Sequence, residues 1–254
     1  YLVSLLSAQY KVAVLSRGYG RKTRGFRLAN QDDTAYTLGD EPLRIHRRFP
    51  DVPVAVCADR VRGVKRLQQL FPGLQCVILD DAYQHRKIRC GFYVLLTPYQ
   101  RLYVHDHMLP WGFLRDVPSQ SHRANVIVVT KCPSDMQAIH RRIVSNALQL
   151  PSYQQLSFSS IAYEPLQLPA TPLLLTGIAN PLPIWEHLKT QYPKTELLAY
   201  PDHHIFTDKD VAHILEKAKA YRCVVTTEKD YMRLQQTSLV QQLADKLYIQ
   251  TIQT

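Results

Sequence analysis

Short apolar runs alternate along the chain with longer segments whose apolar residues recur every three or four positions. The runs have the length and composition of buried strands, and the longer segments have the period of amphipathic helices. The pattern predicts strands over residues 11–15, 52–57, 76–79, 91–96, 126–130, 173–175, 197–200 and 223–227. It predicts helices over residues 2–9, 40–49, 60–70, 134–148, 185–191 and 208–221. Strands that alternate with helices indicate an α/β protein with a mostly parallel sheet flanked by helices.

A polar segment over residues 151–170 interrupts this alternation. Pro151 and a stretch rich in Gln and Ser precede an alternating pattern at 157–163, which indicates an extended, hairpin-like piece. We therefore expect a first lobe over residues 1–150, an extended linker over 151–170, and a second, smaller α/β lobe over 171–254. Part of the second lobe can pack on the first.

The chain is strongly basic, with a formal net charge of +10 at pH 7 over 254 residues. A net charge of this size indicates which partners the protein can bind and says little about its fold. No dense Lys/Arg tract with interleaved aromatic residues and no nucleic-acid-binding signature occurs, so nucleic acid is not an expected partner. An anionic membrane surface and phosphate-bearing substrates remain as expected partners.

Cysteine usage and hydropathy indicate the cellular compartment and whether the chain crosses a membrane. The five cysteines are scattered without Cys-x-x-Cys spacing, which favours free thiols in a reducing compartment. No apolar run reaches the roughly 18 residues that a bilayer crossing requires, and no signal peptide is visible. The chain begins Tyr-Leu-Val-Ser-Leu-Leu, like the middle of a helix, so we expect further sequence before it in the natural protein.

Two adjacent carboxylates, Asp80 and Asp81, end the apolar run Val-Ile-Leu. Buried parallel strands deliver ligand-binding groups to the carboxyl edge of a sheet in this way. Carboxylate oxygens suit Mg²⁺, and Mg²⁺ at such an edge accompanies a nucleotide phosphate. A solvated turn is the alternative, but the polar residues Gln84, His85 and Arg86 that follow favour a site.

Three further motifs of the first lobe allow two interpretations each. Arg17 lies in a glycine-bearing basic loop, which can bind an anion or simply form a turn. Asp40 and Glu41 open a predicted helix, either as caps beside the helix dipole or as a base and a metal helper near phosphate. Asp59 and Arg60 can cap the next helix or hold substrate.

The second lobe carries Asp202, His203 and His204 after a predicted strand. Adjacent histidines point in different directions, so at most one is expected to face a shared site, where it could pair with a carboxylate in acid–base chemistry. For the cluster at 226–230 a salt-bridged turn is favoured over a direct role in chemistry.

A long irregular segment over residues 97–122 contains Arg115. Loops of this length inside a compact domain are usually functional or disordered. An apolar and basic surface there would suit an amphipathic, anionic lipid. Its other aromatic and basic residues are Tyr99, Arg101, Tyr103, His105, His107, Trp111 and Phe113.

Taken together, these motifs resemble the tetraacyldisaccharide 4'-kinase family of lipid A biosynthesis. The resemblance runs through nearly the whole chain, and eight motifs in order are strong evidence where one alone is modest. The motifs are Ser-Arg-Gly-Tyr-Gly at 16–20, Gly-Asp-Glu-Pro at 39–42, Asp-Arg at 59–60, Asp-Asp-Ala-Tyr-Gln-His at 80–85, Leu-Pro-Trp-Gly through Leu-Arg at 109–115, Gly-Ile-Ala-Asn-Pro at 177–181, Asp-His-His at 202–204 and Thr-Thr-Glu-Lys-Asp at 226–230.

The resemblance implies a P-loop kinase fold and an ATP-dependent lipid kinase. The implied reaction transfers the γ-phosphate of ATP to the 4'-hydroxyl of a tetraacylated glucosamine disaccharide 1-phosphate, forming lipid IVA. The implied cofactors are ATP and Mg²⁺, and the implied location is peripheral, on the cytoplasmic face of the inner membrane. Phosphoryl transfer needs positioning, charge neutralisation and a group that receives the hydroxyl proton.

The resemblance also implies roles for individual residues. Asp40 would be the base, paired with a histidine of the Asp-His-His motif; His203 is favoured and His204 stays open. Asp80 and Asp81 would hold Mg²⁺, directly or through water. The supporting residues are Glu41 for the metal, Arg17 and Gln84 for ATP, and Asp59, Arg60 and Arg115 for the substrate.

Three departures from the family pattern matter. Ala82 and Tyr83 replace a Gly-Phe pair, and Asp116 replaces a Glu after Arg115, which shortens that side chain. No Gly-x-x-x-x-Gly-Lys-[Ser/Thr] motif occurs in these 254 residues. On this basis we expect the family's phosphate-binding loop and membrane-associating segment to lie upstream, and this chain by itself to bind ATP poorly and transfer phosphate negligibly.

Two rival functions stay open at this point. Asp-His-His also marks a family of metal-dependent phosphoesterases, although that chemistry requires more Asp and His ligands on separate strand ends than the sequence offers. The other rival is a non-catalytic domain that binds anionic lipid or phosphate, a relic of a kinase.

Overall fold

The structure is a computed structural model that describes residues 1–202 and 204–253. Its helices are α1 (Leu2–Ser7), α2 (Ala35–Leu38), α3 (Asp40–Arg48), α4 (Arg60–Leu70), α5 (Ala138–Leu148), α6 (Leu182–Gln191), α7 (Asp208–Ala218), α8 (Glu228–Leu234) and α9 (Leu239–Gln242). Its strands are β1 (Val12–Ser16), β2 (Arg27–Leu28), β3 (Val54–Val56), β4 (Cys76–Leu79), β5 (Val94–Pro98), β6 (Val126–Cys132), β7 (Gln155–Ser160), β8 (Ala162–Tyr163), β9 (Leu173–Thr176), β10 (Glu196–Ala199), β11 (Val224–Thr227), β12 (Leu247–Gln250) and β13 (Ile252–Gln253).

The chain divides into two compact units. The first unit comprises Tyr1–Asp80 and Tyr163–Thr254, and the second unit comprises Asp81–Ala162. The lobes predicted at 1–150 and 171–254 have different boundaries from these two units, and the division into those lobes remains a prediction.

The first sheet of the first unit has the strand order β2-β3-β1-β4. Strand β1 is parallel to both of its neighbours, with Leu15 opposite Ala55 of β3 and Leu79 of β4, whereas β2 is antiparallel to β3. Because parallel strands end at the same edge of a sheet, the residues that follow β1, β3 and β4 share one carboxyl edge.

Helices cover both faces of this sheet. On one face Leu15 packs in a cluster with Leu67 of α4. Gly63 allows α4 to approach this closely, because a Cβ at that position would lie only 2.7 Å from Leu15 Cδ2. On the other face Val14 packs in a cluster with Ile45 of α3. The sheet is therefore the middle of a three-layer α/β/α arrangement.

The second sheet of the first unit has the order β10-β9-β11-β12 and is parallel throughout. Leu175 packs with Ile214 of α7 and Leu234 of α8 on one face, and Leu174 packs with Leu188 of α6 on the other. Strand β11 runs directly into α8, so residues 228–230 form the first turn of a helix.

The second unit contains the parallel sheet β5-β6-β7. Its core includes Ile127 and Val129 of β6 and Val144 and Leu148 of α5. The prediction of a hairpin-like piece around 157–163 is wrong for most of that range. Residues 155–160 instead form β7, which pairs in parallel with β6.

The predicted fold class is confirmed. The four-stranded and three-stranded sheets are parallel apart from β2, and helices flank them. None of the helices in the described part of the chain combines the length and apolar character that a bilayer crossing needs.

Candidate active site

Two glycines bring the start of α3 against the loop that follows β1. Gly18 and Gly39 have φ values of +72° and +98°, in the region that favours glycine. A Cβ at Gly18 would lie 2.9 Å from the Leu38 carbonyl oxygen, and one at Gly39 would lie 3.0 Å from the Tyr19 carbonyl oxygen. Asp40, the first residue of α3, is therefore held beside the carboxyl edge of the first sheet.

Asp40 is bound by a buried arginine from α8. Arg233 Nε donates to Asp40 Oδ2 at 3.3 Å, and the side chains of Arg233 and Asp40 are 8% and 21% exposed. The same guanidinium donates through Nη1 to the Gly177 carbonyl oxygen at 3.1 Å and to Asp230 Oδ1 at 3.2 Å. Asp40 thus combines a helix N-terminus, which favours a carboxylate, with a fixed cationic partner.

The Asp230 carboxylate extends this network into the second sheet. Asp230 is completely buried. Its Oδ2 accepts hydrogen bonds from the hydroxyls of Thr176 and Thr227, both at 2.8 Å. Thr227 is also the N-cap of α8 and accepts from the Asp230 N–H at 3.1 Å. The segment interpreted from sequence as a salt-bridged turn is therefore a helix cap that anchors Arg233; at its surface Lys229 pairs with Asp202 at 3.3 Å.

Asp80 directly follows β4 at the carboxyl edge of the first sheet. Its N–H donates to the Leu15 carbonyl oxygen at 3.0 Å. Its Oδ2 is buried, with no hydrogen-bond partner among residues 1–202 and 204–253. A buried carboxylate oxygen without a donor is unfavourable unless a cation neutralises it, so this atom fits a metal ligand.

The site suits Mg²⁺, which needs few protein ligands, better than a metal ion that is bound by protein side chains alone. Within the described ranges no group of three or more His, Cys, Asp or Glu side chains is placed to hold a metal ion. Mg²⁺ commonly uses one or two carboxylates, with water and phosphate oxygens completing its shell. Glu41 is exposed in the first turn of α3, next to Asp40.

The other predicted site residues of the first unit lie after β1 and β3. Arg17 is exposed in the loop after β1. Asp59 is the N-cap of α4, accepting from the Arg62 N–H at 3.1 Å, which agrees with the capping interpretation. Arg60 is buried at 3% exposure and donates through Nη1 to the Ala58 carbonyl oxygen at 2.9 Å.

In the second unit Asp81 and Arg115 form a bidentate ion pair. The two guanidinium nitrogens of Arg115 lie 2.9 and 2.5 Å from the carboxylate oxygens of Asp81. The hydrogen bond to Asp81 raises the pKa of Arg115 above its ordinary value. Gln84 is exposed. A carboxylate engaged in this way is less suited than Asp80 to direct metal ligation.

Of the two adjacent histidines, His203 lies outside the described residues. His204 Nε2 lies 3.0 Å from Asp210 Oδ2, and its ring stacks on Tyr200 with centroids 4.9 Å apart. Hydrogen bonds from the backbone and hydroxyl of Thr207, and then from His204, lower the pKa of Asp210 to about 2. His204 therefore belongs to the cap of α7.

Arg233 was not among the site residues predicted from the sequence. Its signal was nevertheless present, because Thr227 followed three residues later by Asp230 is an N-cap pattern. A helix starting there places Arg233 one turn beyond Asp230, where the two side chains can pair. Its second partner, Asp40, is brought close by tertiary packing and cannot be predicted from local sequence patterns.

This fold belongs to the P-loop kinase-like class of α/β proteins. The crystal structure of LpxK from Aquifex aeolicus in complex with ATP superimposes with a TM-score of 0.72. The match covers 99% of this chain and 76% of that chain at 21% sequence identity. At this level of identity the likeness concerns the fold.

The LpxK family model, described as tetraacyldisaccharide-1-P 4'-kinase, matches residues 1–253. The tetraacyldisaccharide 4'-kinase of Flavobacterium johnsoniae is 45% identical over 255 residues, covering 96% of this chain and 74% of that protein. The enzyme of the same name from Bacteroides thetaiotaomicron is 42% identical over 262 residues, covering 92% of this chain and 69% of that protein. The chain belongs to the tetraacyldisaccharide-1-P 4'-kinase family. It is an ATP-dependent kinase of lipid A biosynthesis, as the motifs predicted.

The buried network predicts a large cost for removing Arg233. Arg233→Met keeps much of the side-chain volume but leaves the buried Asp230 carboxylate without that guanidinium. We expect a loss of about 3–5 kcal/mol in the free energy of unfolding, measured by urea denaturation. Arg142→Met, at an exposed position of α5, is the matched control and should stay within about 0.5 kcal/mol. A loss at Arg233 no larger than that of the control would contradict the role given to the network.

Proposed function

We propose that the gene product carrying these residues transfers the γ-phosphate of ATP to the 4'-hydroxyl of tetraacyldisaccharide 1-phosphate, with Asp40 as the base and Mg²⁺ as the metal cofactor. The enzyme would act peripherally on an anionic membrane surface at the cytoplasmic face of the inner membrane. The observation that carries the assignment of the base is the placement of Asp40. Its carboxylate lies at a helix N-terminus, beside the edge where β4 ends in Asp80, and Arg233 holds it.

The proposed reaction needs one proton acceptor and precise orientation. The 4'-oxygen forms a bond to the γ-phosphorus while the bond from that phosphorus to the bridging oxygen of ADP breaks. The hydroxyl proton passes to the Asp40 carboxylate. Arg233 fixes one oxygen of Asp40 and so limits its rotation, which serves a reaction that depends mainly on positioning. His203 is the proposed partner of Asp40, since His204 is engaged by Asp210.

Asp80 is proposed as the principal protein ligand of Mg²⁺. Bound Mg²⁺ would supply neutralisation of the charge on the transferred phosphoryl group. The buried, unpartnered Oδ2 of Asp80 supports this role. Asp81 would act through water, because Arg115 occupies its carboxylate. Glu41 would help from the first turn of α3.

The remaining site residues are proposed to hold the two substrates. Arg17 and Gln84 would contact ATP, and Asp59, Arg60 and Arg115 would contact the lipid disaccharide. A basic groove beside Asp59 supports a place for an anionic substrate there. Its other lining residues are Phe26, Val61, Arg62, Lys65, Arg66 and Gln69.

The test is phosphorylation of tetraacyldisaccharide 1-phosphate by the gene product that carries these residues, with Asp40→Asn beside it. We expect kcat to fall by about 10²–10⁴-fold, because the variant lacks the group that accepts the proton. The KM for ATP should change little. Incorporation of ³²P from labelled ATP measures the rate.

Asp51→Asn is the matched control, an exposed acid shortly after α3, and should keep parental activity. Asp40→Asn activity within about threefold of the parent would reject Asp40 as the base. Absence of transfer by the parent protein would reject the proposed reaction itself.

Asp80→Asn tests the metal assignment. We expect the Mg²⁺ concentration for half-maximal rate to rise by about tenfold or more, because the variant removes a charged ligand. Asp81→Asn is the comparison and should give a smaller shift, since its carboxylate is held by Arg115. The measurement is initial rate against Mg²⁺ concentration at fixed ATP. Equal Mg²⁺ dependence in parent and Asp80→Asn would contradict direct ligation.

A further inference from the structure

The second unit presents apolar side chains to water at the tip of one loop, residues 106–116. Leu109, Trp111 and Phe113 are 59%, 88% and 69% exposed. Trp111 is the most exposed large apolar side chain in the described part of the chain. Contiguous exposed apolar surface of this kind normally marks an interaction site.

Hydrogen bonds within the loop hold this tip in shape. The Leu114 N–H donates to the His107 carbonyl oxygen at 3.0 Å, and the Leu109 N–H donates to the Leu114 carbonyl oxygen at 3.1 Å. The Phe113 N–H donates to Asp106 Oδ1 at 3.2 Å. The tip is therefore presented by an ordered backbone, so little conformational entropy is lost when it binds.

Basic side chains surround the tip. The Arg101 guanidinium lies 3.8 Å from the centre of the Phe113 ring, and Arg115 follows two residues later. Arg86 is attached to the same loop through Asp116, at 3.3 Å. Residues 81–123 contain six Lys or Arg against three Asp, so positive charge remains after these pairs are counted.

We propose that residues 106–116 form the membrane-contacting tip of this chain and insert Trp111 and Phe113 into the headgroup region of an anionic bilayer. Trp is enriched at membrane interfaces because its ring is amphipathic. Basic side chains beside an apolar tip are attracted to anionic lipid headgroups. The inference rests on the proposed peripheral membrane function and names the segment that makes the contact.

A bilayer explains both features of the tip together. The exposed rings gain by leaving water. The excess of positive charge over residues 81–123 attracts an anionic surface rather than a purely apolar partner. The acyl chains of the kinase substrate could also contact apolar residues, so the test uses vesicles that contain neither substrate nor ATP.

Tryptophan fluorescence reports insertion directly. The chain has two tryptophans, Trp111 and Trp185, and Trp185→Phe leaves Trp111 as the single reporter within it. On phosphatidylglycerol vesicles its emission should shift to the blue and be quenched by lipids brominated on the acyl chain. The response should be weaker on phosphatidylcholine vesicles and at high salt. Unchanged emission at lipid concentrations where the protein co-sediments with vesicles would overturn the proposal.

Vesicle co-sedimentation with surface variants tests the same point by affinity. Trp111→Ser/Phe113→Ser should lower the partition coefficient on phosphatidylglycerol vesicles by about 10- to 100-fold. Ile139→Ser/Ile143→Ser is the matched control, with side chains 55% and 58% exposed on α5, and should stay within about twofold. Parental binding by the first double variant, or an equal loss in the control, would overturn the proposal.

Activity in detergent micelles separates this inference from the proposed function. We expect Trp111→Ser/Phe113→Ser to phosphorylate substrate dispersed in micelles at a rate within about threefold of the parent, because no bilayer is then required. A large loss in micelles would assign the tip to substrate binding and overturn the membrane role. Failure of the parent protein to phosphorylate would reject the kinase proposal and leave the vesicle measurements interpretable by themselves.

Discussion

The buried charge of Arg233 is the constraint on which the candidate site depends. A buried guanidinium is tolerated only when carboxylates and carbonyl oxygens satisfy it, and here Asp230, Asp40 and the Gly177 carbonyl oxygen do so. Arg233 lies on α8, which covers the second sheet, and Asp40 lies on α3, which covers the first. Satisfying one charge therefore ties together the two sheets of the first unit and orients the proposed base.

The backbone around Asp40 also helps to position this proposed base. Gly18 and Gly39 allow two loops to approach more closely than side chains would permit. Their approach sets the start of α3 beside the end of β1, one strand away from Asp80. The metal ligand and the base are thus proposed at one sheet edge, where α/β folds commonly bind phosphates.

Local sequence patterns predicted the parts of this arrangement that depend on nearest neighbours. The apolar run before Asp80 identified β4, and Pro42 with two acids identified the start of α3. The patterns could not predict which distant groups pair, because that depends on tertiary packing. Arg233 was missed, residues 155–160 were expected in a hairpin-like piece and form a parallel strand, and His204 proved to be part of a helix cap. For Arg233 and for residues 155–160 the information that the sequence lacks is the distant partner, Asp40 in one case and β6 in the other.

Arg233 is proposed to act on the reaction through Asp40. We would test this with a double-mutant cycle on kcat/KM, using Asp40→Asn and Arg233→Met and measuring rates per folded enzyme. We expect Arg233→Met to cost much less in the Asp40→Asn background than alone. The two losses would then fall short of additivity by about 1.5 kcal/mol or more. Additive losses would show that Arg233 affects catalysis by a route that does not involve Asp40.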